Sequence, residues 1–251
     1  MKTISVCSLS GGQGKTTTSL LLGRFLAEAG HTVCLIDADP QHSLTLFTYG
    51  EIEDHDPSLF EFIKGQGDPL DCIYPIKSNA NLFIIPSDDT LDGAQNYLAQ
   101  TGVGATLLKK RLHILEDKFE YCIIDSPPQR SQLVLSVFGA ADHLLIPAEA
   151  TIKGFASSAR TLDLFEQQND IGATQATLLG LIPFRDRWVG LNQTKESQLA
   201  CDAMREEVGA EWVLPPILES EQYKKSVAHG VELSEKYAYP FQQIISRLND
   251  L

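Results

Sequence analysis

The residues best suited to do chemistry form a glycine-rich segment near the N-terminus, the phosphate loop, which reads Ser8-Leu9-Ser10-Gly11-Gly12-Gln13-Gly14-Lys15-Thr16-Thr17. A β-rich run precedes it and a helical pattern follows it. Glycines let backbone N–H groups approach phosphate oxygens, and the positive end of a helix dipole attracts the same anions. A lysine here supplies a cation to the β- and γ-phosphates, and a threonine hydroxyl suits Mg²⁺. The loop therefore predicts a nucleoside triphosphate site.

Three aspartates follow predicted strands and are candidates for managing the metal and the hydrolytic water. Asp37 and Asp39 belong to the segment Asp37-Ala38-Asp39-Pro40-Gln41, and Asp125 is followed by Ser126-Pro127-Pro128. Open α/β sheets bind ligands at the carboxyl ends of their strands. Each aspartate alone is also explained by a helix cap or a turn. Together with the phosphate loop, they favour a site for a magnesium-bound nucleotide.

The rest of the chain supplies the scaffold for these residues, because short β-rich runs alternate with helix-like stretches. This alternation predicts an α/β fold with a mostly parallel central sheet and helices on both faces. Strands are predicted at 4–9, 32–36, 82–85, 121–124, 143–146, 177–182 and 212–214. Helices are predicted at 16–29, 59–64, 104–117, 154–168 and 194–208, followed by two more. Since no linker divides the chain, residues 1–251 are expected to form one domain.

Composition excludes several classes of protein. The net charge of −13 argues against a chain that is basic throughout and wraps nucleic acid. Five cysteines without a C-x-x-C pair are explained as buried thiols in a reducing cytoplasm. The N-terminus lacks the apolar core of a signal peptide, and no apolar window is long enough to cross a bilayer. We therefore expect a cytoplasmic protein without an integral membrane segment.

The three motifs resemble those of the deviant Walker A ATPases of the ParA/MinD type, whose loop reads K-G-G-x-G-K-[ST]-T. Residues 11–17 match this pattern, whereas Ser10 stands at the position of the family's signature lysine. The segment that begins at Asp37 resembles the family's D-x-D-P-Q, and residues 121–128 resemble its Walker B segment. The similarity covers most of the chain, including Ile182-Pro183-Phe184, which corresponds to the loop that lines the adenine pocket.

The resemblance implies a P-loop ATPase with ATP and Mg²⁺ as cofactors. It implies that Asp39 orients the attacking water, that Asp37 lies close to the Mg²⁺ shell, and that Asp125 acts on Mg²⁺ together with Thr16. The expected nucleotide-binding residues are Gly11, Gly12, Gln13, Gly14, Lys15, Thr16, Thr17, Pro183 and Phe184. Lys15, Asp37 and Asp39 are expected to act in catalysis.

The missing signature lysine raises a separate question. In the family this lysine crosses a homodimer that sandwiches two nucleotides and neutralises phosphate charge on the partner subunit, which Ser10 cannot do. Phosphoryl transfer depends on positioned positive charge, so a cation from another segment can serve. Lys153, after the predicted strand 143–146, is our candidate; the alternative is an ordinary surface lysine. Ser10 combined with Lys153 resembles the branch of the family that positions carboxysomes.

The resemblance also implies partners. In the family, ATP favours the dimer, the dimer binds nonspecific DNA of the nucleoid, and an adaptor protein of the McdB/ParB type stimulates hydrolysis. The candidate DNA contacts are Arg185, Arg187, Lys195, Arg205, Lys224 and Lys225. Residues 185–251 nevertheless contain eight Lys and Arg against eleven Asp and Glu, so a solvated face is the safer interpretation of each of these residues taken alone.

Other functions stay open at this point. A plasmid or chromosome partition ATPase shares all three motifs. A membrane-associated, MinD-like protein would use the apolar residues Phe241, Ile244, Ile245 and Leu248, although their helix carries few basic residues and core packing explains them better. A reductase of the nitrogenase iron-protein type needs paired cysteines, and a ligase such as dethiobiotin synthetase does not account for the segment at Asp37.

Overall fold

The computed structural model describes residues 1–50, 52–53 and 55–251. The strands are β1 (Lys2–Val6), β2 (Val33–Asp37), β3 (Tyr74–Pro75), β4 (Leu82–Ile85), β5 (Tyr121–Asp125), β6 (His143–Glu149), β7 (Thr177–Asp186), β8 (Trp188–Val189), β9 (Asn192–Gln193) and β10 (Ile217–Leu218). The helices are α1 (Lys15–Glu28), α2 (Ser43–Thr48), α3 (Leu59–Lys64), α4 (Ala94–Gln100), α5 (Gly104–Leu112), α6 (Gln132–Ala140), α7 (Ile152–Asp170), α8 (Lys195–Val208), α9 (Glu221–His229) and α10 (Glu235–Asn249).

The central sheet confirms the predicted fold class. In the described residues it has eight strands in the order β10-β7-β6-β1-β5-β2-β4-β3, and all are parallel except β3, which runs antiparallel to β4. Strands β2 and β5 are buried along their whole length, because helices cover both faces of the sheet. The carboxyl ends of β1, β2 and β5 meet at the middle of one edge, where the three motifs lie.

Helix α10 packs in the core. Its residues Phe241, Ile244 and Leu248 are fully buried, and the ring of Phe241 stacks on that of Phe25 in α1 with 5.4 Å between centroids. The apolar spacing at the C-terminal end therefore reflects packing against the sheet and α1. Within the described residues, no helix combines the length and the apolar character needed to cross a membrane.

Two predicted strand boundaries are wrong for reasons that involve proline. The strand expected at 212–214 is reduced to a single parallel bridge between Val213 and Leu181, which follows a 3₁₀ turn at Ala210–Trp212. The edge strand is β10 instead. Pro215 and Pro216, which cannot donate to a ladder, separate the two. Strand β6 continues past Pro147 to Glu149. Its pairing with β1 ends at Leu145, so the N–H that Pro147 lacks falls beyond that ladder.

Three helices, α2, α4 and α6, were not expected from the sequence. Helix α6 is buried over most of its surface, so its residues show no alternation between an apolar and a polar face. Helices α2 and α4 have six and seven residues, which is too short for a clear period.

Candidate nucleotide site

The phosphate loop joins β1 to α1 through glycines in conformations that other residues avoid. Gly12 and Gly14 have φ angles of 78° and 91°, in the left-handed region that favours glycine. Gly14 is also in close contact with β7, since a Cβ atom there would lie 2.5 Å from the ring of Phe184. A larger residue at position 14 would separate the loop from the strand that carries Pro183 and Phe184.

Neighbouring elements hold this loop in place. The buried side chain of Gln13 accepts a hydrogen bond from the Glu149 amide at 2.9 Å and donates to the Gly11 carbonyl at 3.3 Å. The Leu9 amide donates to the Thr161 hydroxyl in α7 at 3.1 Å. The side chain of Gln13 thus fixes the loop, and its part in nucleotide binding stays a prediction. A loop held in this way presents its N–H groups without reorganisation.

Lys15 and Thr16 open helix α1 at the end of the loop. Lys15 is buried, and its ammonium group donates to the Ser10 carbonyl at 3.1 Å. Thr16 is half-buried, and its side chain lies near Asp125 and lowers the pKa of that carboxyl group. A cation and a hydroxyl group are therefore held beside the glycine amides, which is the donor set that a triphosphate with Mg²⁺ requires.

Asp37 and Asp125 are direct neighbours in the register of β2 and β5, and both are fully buried. Asp37 accepts hydrogen bonds at 2.8 Å from both the amide and the hydroxyl of Thr45, and a third from the Asp39 amide at 3.2 Å. Burial raises the pKa of Asp37, and these hydrogen bonds partly offset the effect. The hydrogen bonds of Asp37 hold the segment that carries Asp39. That Asp37 lies close to the Mg²⁺ shell stays a prediction.

Asp125 has the environment of a metal ligand. One carboxylate oxygen accepts from the Ser19 hydroxyl at 3.3 Å, while the other is buried and has no hydrogen-bond partner among the described residues. Burial and the charge of Asp37 raise the pKa of Asp125. Mg²⁺ is bound by one or two protein oxygens together with phosphate oxygens and water. Asp125 and Thr16 fit that requirement, and a bound cation would stabilise both buried carboxylates.

Asp39 lies half-buried at a surface cleft of about 350 Å³ that is also lined by Arg130 and Gln95. Its side chain accepts from the Gln41 amide at 3.0 Å, and its carbonyl accepts from the Ser87 hydroxyl at 2.9 Å. These bonds fix the turn after β2. The prediction that Asp39 orients a water molecule is compatible with this position.

A second cleft, of about 660 Å³, lies between the phosphate loop and the C-terminal segment. It is lined by Thr17, Phe184 and Arg185 and, on its other side, by Leu218, Tyr223 and Val227 among others. Its apolar lining beside the loop suits a nucleobase. Phe184 was expected here from the sequence, whereas the segment 218–228 was not. The signal for that segment is a short apolar run before a helix at the same sheet edge.

Comparison with known proteins identifies the family. Residues 1–172 match a family model described as an AAA domain. Maintenance of carboxysome distribution protein A from Synechococcus elongatus is 48% identical over 99% of both chains, and its counterpart from Gloeothece citriformis is 50% identical over 96% of this chain and 92% of its own. The chain belongs to the ParA/MinD-type ATPases. It is thus an ATP hydrolase, as the motifs predict.

A solved structure agrees with this assignment to the ParA/MinD-type ATPases. It is the complex with ATP of an aspartate-to-alanine variant of McdA, a maintenance of carboxysome distribution protein A, from Cyanothece. The two chains superpose with a TM-score of 0.95 at 47% identity, over 99% of this chain and 96% of that one. The similarity to McdA thus extends over almost the whole fold, including the segment 218–228 that lines the second cleft.

The cations predicted to contact DNA do not form one free basic face. Four of them have acidic partners. Arg185 lies 3.5 Å from Glu149, Arg187 lies 2.7 Å from Glu219, and Lys224 lies 2.6 Å from Glu221. Arg205 pairs with Asp202. Lys195 and Lys225 are exposed and have no ion pair within the described residues. These two are the best placed of the set to bind an external phosphate.

Lys153 is exposed and lies in the first turn of α7, rather than before the helix as expected. The turn that leads to it begins at Glu149, whose amide is bonded to Gln13 of the phosphate loop. Lys153 therefore extends from the same edge of the sheet as the loop. Whether it replaces the signature lysine of the family stays a prediction.

Because Asp125 is a buried carboxylate, we expect the stability of the protein to depend on pH. An Asp125→Asn substitution should remove this dependence. Burial and Asp37 raise the pKa of Asp125 to about 8, whereas an unfolded chain titrates near 4. Between these values the native state binds more protons than the unfolded state, so stability without Mg²⁺ falls as the pH rises. Each pKa unit corresponds to about 1.4 kcal/mol.

Urea unfolding at several pH values without divalent ions measures this effect. We expect the wild type and the Asp125→Asn variant to have similar stability near pH 4 and the variant to be more stable by pH 8. Parallel pH profiles would show that Asp125 is not a destabilising buried charge.

Proposed function

We propose that this protein is an ATP-dependent dimerising switch that binds nonspecific DNA and positions carboxysomes through an adaptor protein of the McdB type. The observation that carries the proposal is the joint placement of Lys15, Thr16 and the unsatisfied oxygen of Asp125 beside the glycine amides. This donor set recognises a magnesium-bound triphosphate. The carboxysome as cargo is inferred from the name of the relatives that share 48–50% of its residues.

The chain's charges suggest how ATP would control assembly. Two copies each carry a net charge of −13, so bringing two nucleotide sites together requires cations at the contact. Mg²⁺ would neutralise the Asp37–Asp125 pair, and Lys153 would supply positive charge to the nucleotide of the partner subunit. Hydrolysis removes the γ-phosphate that both subunits contact, and the dimer then separates.

DNA binding in this proposal depends on a few cations, with Lys195 and Lys225 foremost. Such contacts release counterions, so the affinity should fall steeply as the salt concentration rises. In the cell, this contact would place the ATP-bound dimer on the nucleoid within the cytoplasm. A plasmid or chromosome partition role would use the same cycle with a different adaptor. A membrane-associated role has less support, because the apolar residues of α10 are packed in the core.

Light scattering with ATP or ADP tests the proposal. With Mg²⁺ and ATP, the wild type should have twice the mass of the 27.6 kDa chain, and it should then retard DNA of arbitrary sequence at low salt. The Lys153→Ala variant should stay monomeric. Its control is Lys109→Ala. This variant also removes an exposed lysine of a helix, but in α5, which does not carry the phosphate loop.

Equal masses of the wild type in ATP and ADP would overturn the switch. A Lys153→Ala variant that dimerises normally would overturn only the role of Lys153. Dimerisation without any retardation of DNA would remove the DNA-binding part of the proposal.

A further inference from the structure

Helix α2 separates two surface clefts beside the nucleotide site. The side chain of Phe47 lines the cleft of about 660 Å³ that also contains Thr17 and Phe184 and that suits a nucleobase. Leu46, the residue before it, lines a different cleft, of about 410 Å³, together with Thr45. The side chain of Phe47 is 47% exposed. Much of its ring is therefore open to a molecule that enters the first cleft.

The inner face of α2 is bound to the segment that carries Asp39. The amide and the hydroxyl of Thr45 both donate to one carboxylate oxygen of Asp37 at 2.8 Å, and the other oxygen accepts from the Asp39 amide at 3.2 Å. The Thr45 hydroxyl accepts from the Ser87 amide at 2.9 Å. The Ser87 hydroxyl donates to the Asp39 carbonyl, also at 2.9 Å. These bonds form a closed ring, so a shift of α2 would move the backbone on both sides of Asp39.

The geometry of α2 suits it to transmit a contact from one side to the other. Successive residues of an α-helix are about 100° apart, so Thr45 and Phe47 lie on nearly opposite faces. The helix is flanked by His42, with a φ angle of 41°, and by Gly50, with a φ angle of 97°. A left-handed conformation is uncommon for a residue other than glycine, and it is found at switch segments. Helix α2 is thus a short unit between two left-handed turns, which are suitable hinges.

We propose that Phe47 stacks on the base of the bound nucleotide and that α2 transmits this contact through Thr45 to the segment that carries Asp39. The inference rests on the proposed function, in which ATP binds at this site. Phe47 is then a specificity residue for the base. It is also a positioning residue, because it sets the place of Asp39 without touching the reacting phosphate. Full hydrolysis would therefore require the base as well as the triphosphate.

The size of the expected effect follows from the contact itself. Loss of one contact between a base and an aromatic ring weakens binding by about tenfold. A ligand can bias a helix between two positions only by the difference in its affinity for them. The contact with Phe47 can thus change the population of the productive position of α2 by up to about tenfold.

Calorimetry with ADP and with inorganic tripolyphosphate, each with Mg²⁺, tests the contact with the base. We expect Phe47→Ala to bind ADP about tenfold more weakly than the wild type, and to bind tripolyphosphate equally well because this ligand has no base. Phe47→Tyr retains the ring and should bind ADP normally. Leu46→Ala is the matched control, since Leu46 is 49% exposed on the same helix but lines the other cleft. It should bind both ligands as the wild type does.

Hydrogen exchange and steady-state kinetics test the transmission. In the wild type, ADP should slow the exchange of the α2 amides more than tripolyphosphate does, and Phe47→Ala should lose this difference. At saturating ATP, the kcat of Phe47→Ala should fall by about three- to tenfold. A ring that only bound the base would raise KM alone.

A second pair of variants tests the bond that carries the effect. Thr45→Val keeps the shape of the side chain but removes its hydroxyl group, so it should lower kcat and leave the ADP affinity unchanged. Thr45→Ser keeps the hydroxyl group and should retain the kcat of the wild type. Thermal unfolding verifies that both variants are folded.

Equal ADP affinity of the wild type and Phe47→Ala would overturn the inference. Weaker ADP binding with unchanged kcat and unchanged exchange of α2 would also contradict it, since the ring would contact the base without moving Asp39. The same holds if Leu46→Ala has as large an effect as Phe47→Ala. If the wild type binds neither ADP nor tripolyphosphate, the proposed function itself fails. Normal binding of both ligands by every variant leaves that function intact and removes only the role of Phe47.

Discussion

Replacing Lys15 with alanine should reduce ATP hydrolysis by about 10²–10³-fold, the usual cost of removing one group that stabilises transition-state charge. The ammonium group of Lys15 is buried beside the loop and is held by the Ser10 carbonyl. Its substitution removes the cation closest to the phosphates and leaves the buried Asp37 and Asp125 with less compensation. ATP affinity should fall as well, because a charge-assisted hydrogen bond is lost.

Steady-state phosphate release and calorimetric ATP binding measure these two effects. Lys109→Ala is the control, since it removes the charge of an exposed lysine in α5, outside the phosphate loop. Thermal unfolding at pH 6 verifies that the Lys15→Ala variant is folded, because protonation of the buried carboxylates relieves their repulsion at that pH. Hydrolysis within about threefold of the wild type would show that the triphosphate does not lie against Lys15.

Replacing Asp39 with alanine should separate binding from hydrolysis. If Asp39 orients the attacking water, its loss should lower the rate by about 10²–10⁴-fold, the usual contribution of a positioned acid or base. ATP affinity should stay near that of the wild type, because Lys15, Thr16 and the loop amides are untouched. The variant should therefore accumulate as an ATP-bound dimer, visible by light scattering.

Two controls distinguish this role from loss of the turn bond that Asp39 makes to the Gln41 amide. Asp39→Asn keeps an acceptor for that amide but has no carboxylate, so it should hydrolyse as slowly as the alanine variant. Asp68→Ala loses an equivalent bond, to the Leu70 amide at 2.9 Å, in an exposed loop, and it should hydrolyse normally. Rescue of hydrolysis by Asp39→Asn would contradict the catalytic role.

The fold and the centre of the site were predictable because their signals are local. The glycine spacing before Lys15 requires a strand, a turn and a helix start, and Asp37 and Asp125 follow β-rich runs whose ends meet at the same sheet edge. Helices with an apolar face, such as α3 and α8, were found close to their observed bounds. The buried helix α6 has no polar face, so its sequence lacks the period that identifies a helix.

Other parts of the site could not be read from the sequence, because they depend on pairing between distant residues. The bond by which the Glu149 amide fixes Gln13 joins residues far apart in the chain. Arg187 and Lys224 look like free cations until Glu219 and Glu221 are found beside them.

A structure with Mg²⁺ and a nonhydrolysable ATP analogue tests the central claim most directly. We predict the triphosphate among the amides of residues 11–17, Mg²⁺ coordinated by the Thr16 hydroxyl and near the Asp125 carboxylate, and the base in the cleft beside Phe184. A nucleotide bound elsewhere, or a metal ion remote from both Thr16 and Asp125, would contradict this account.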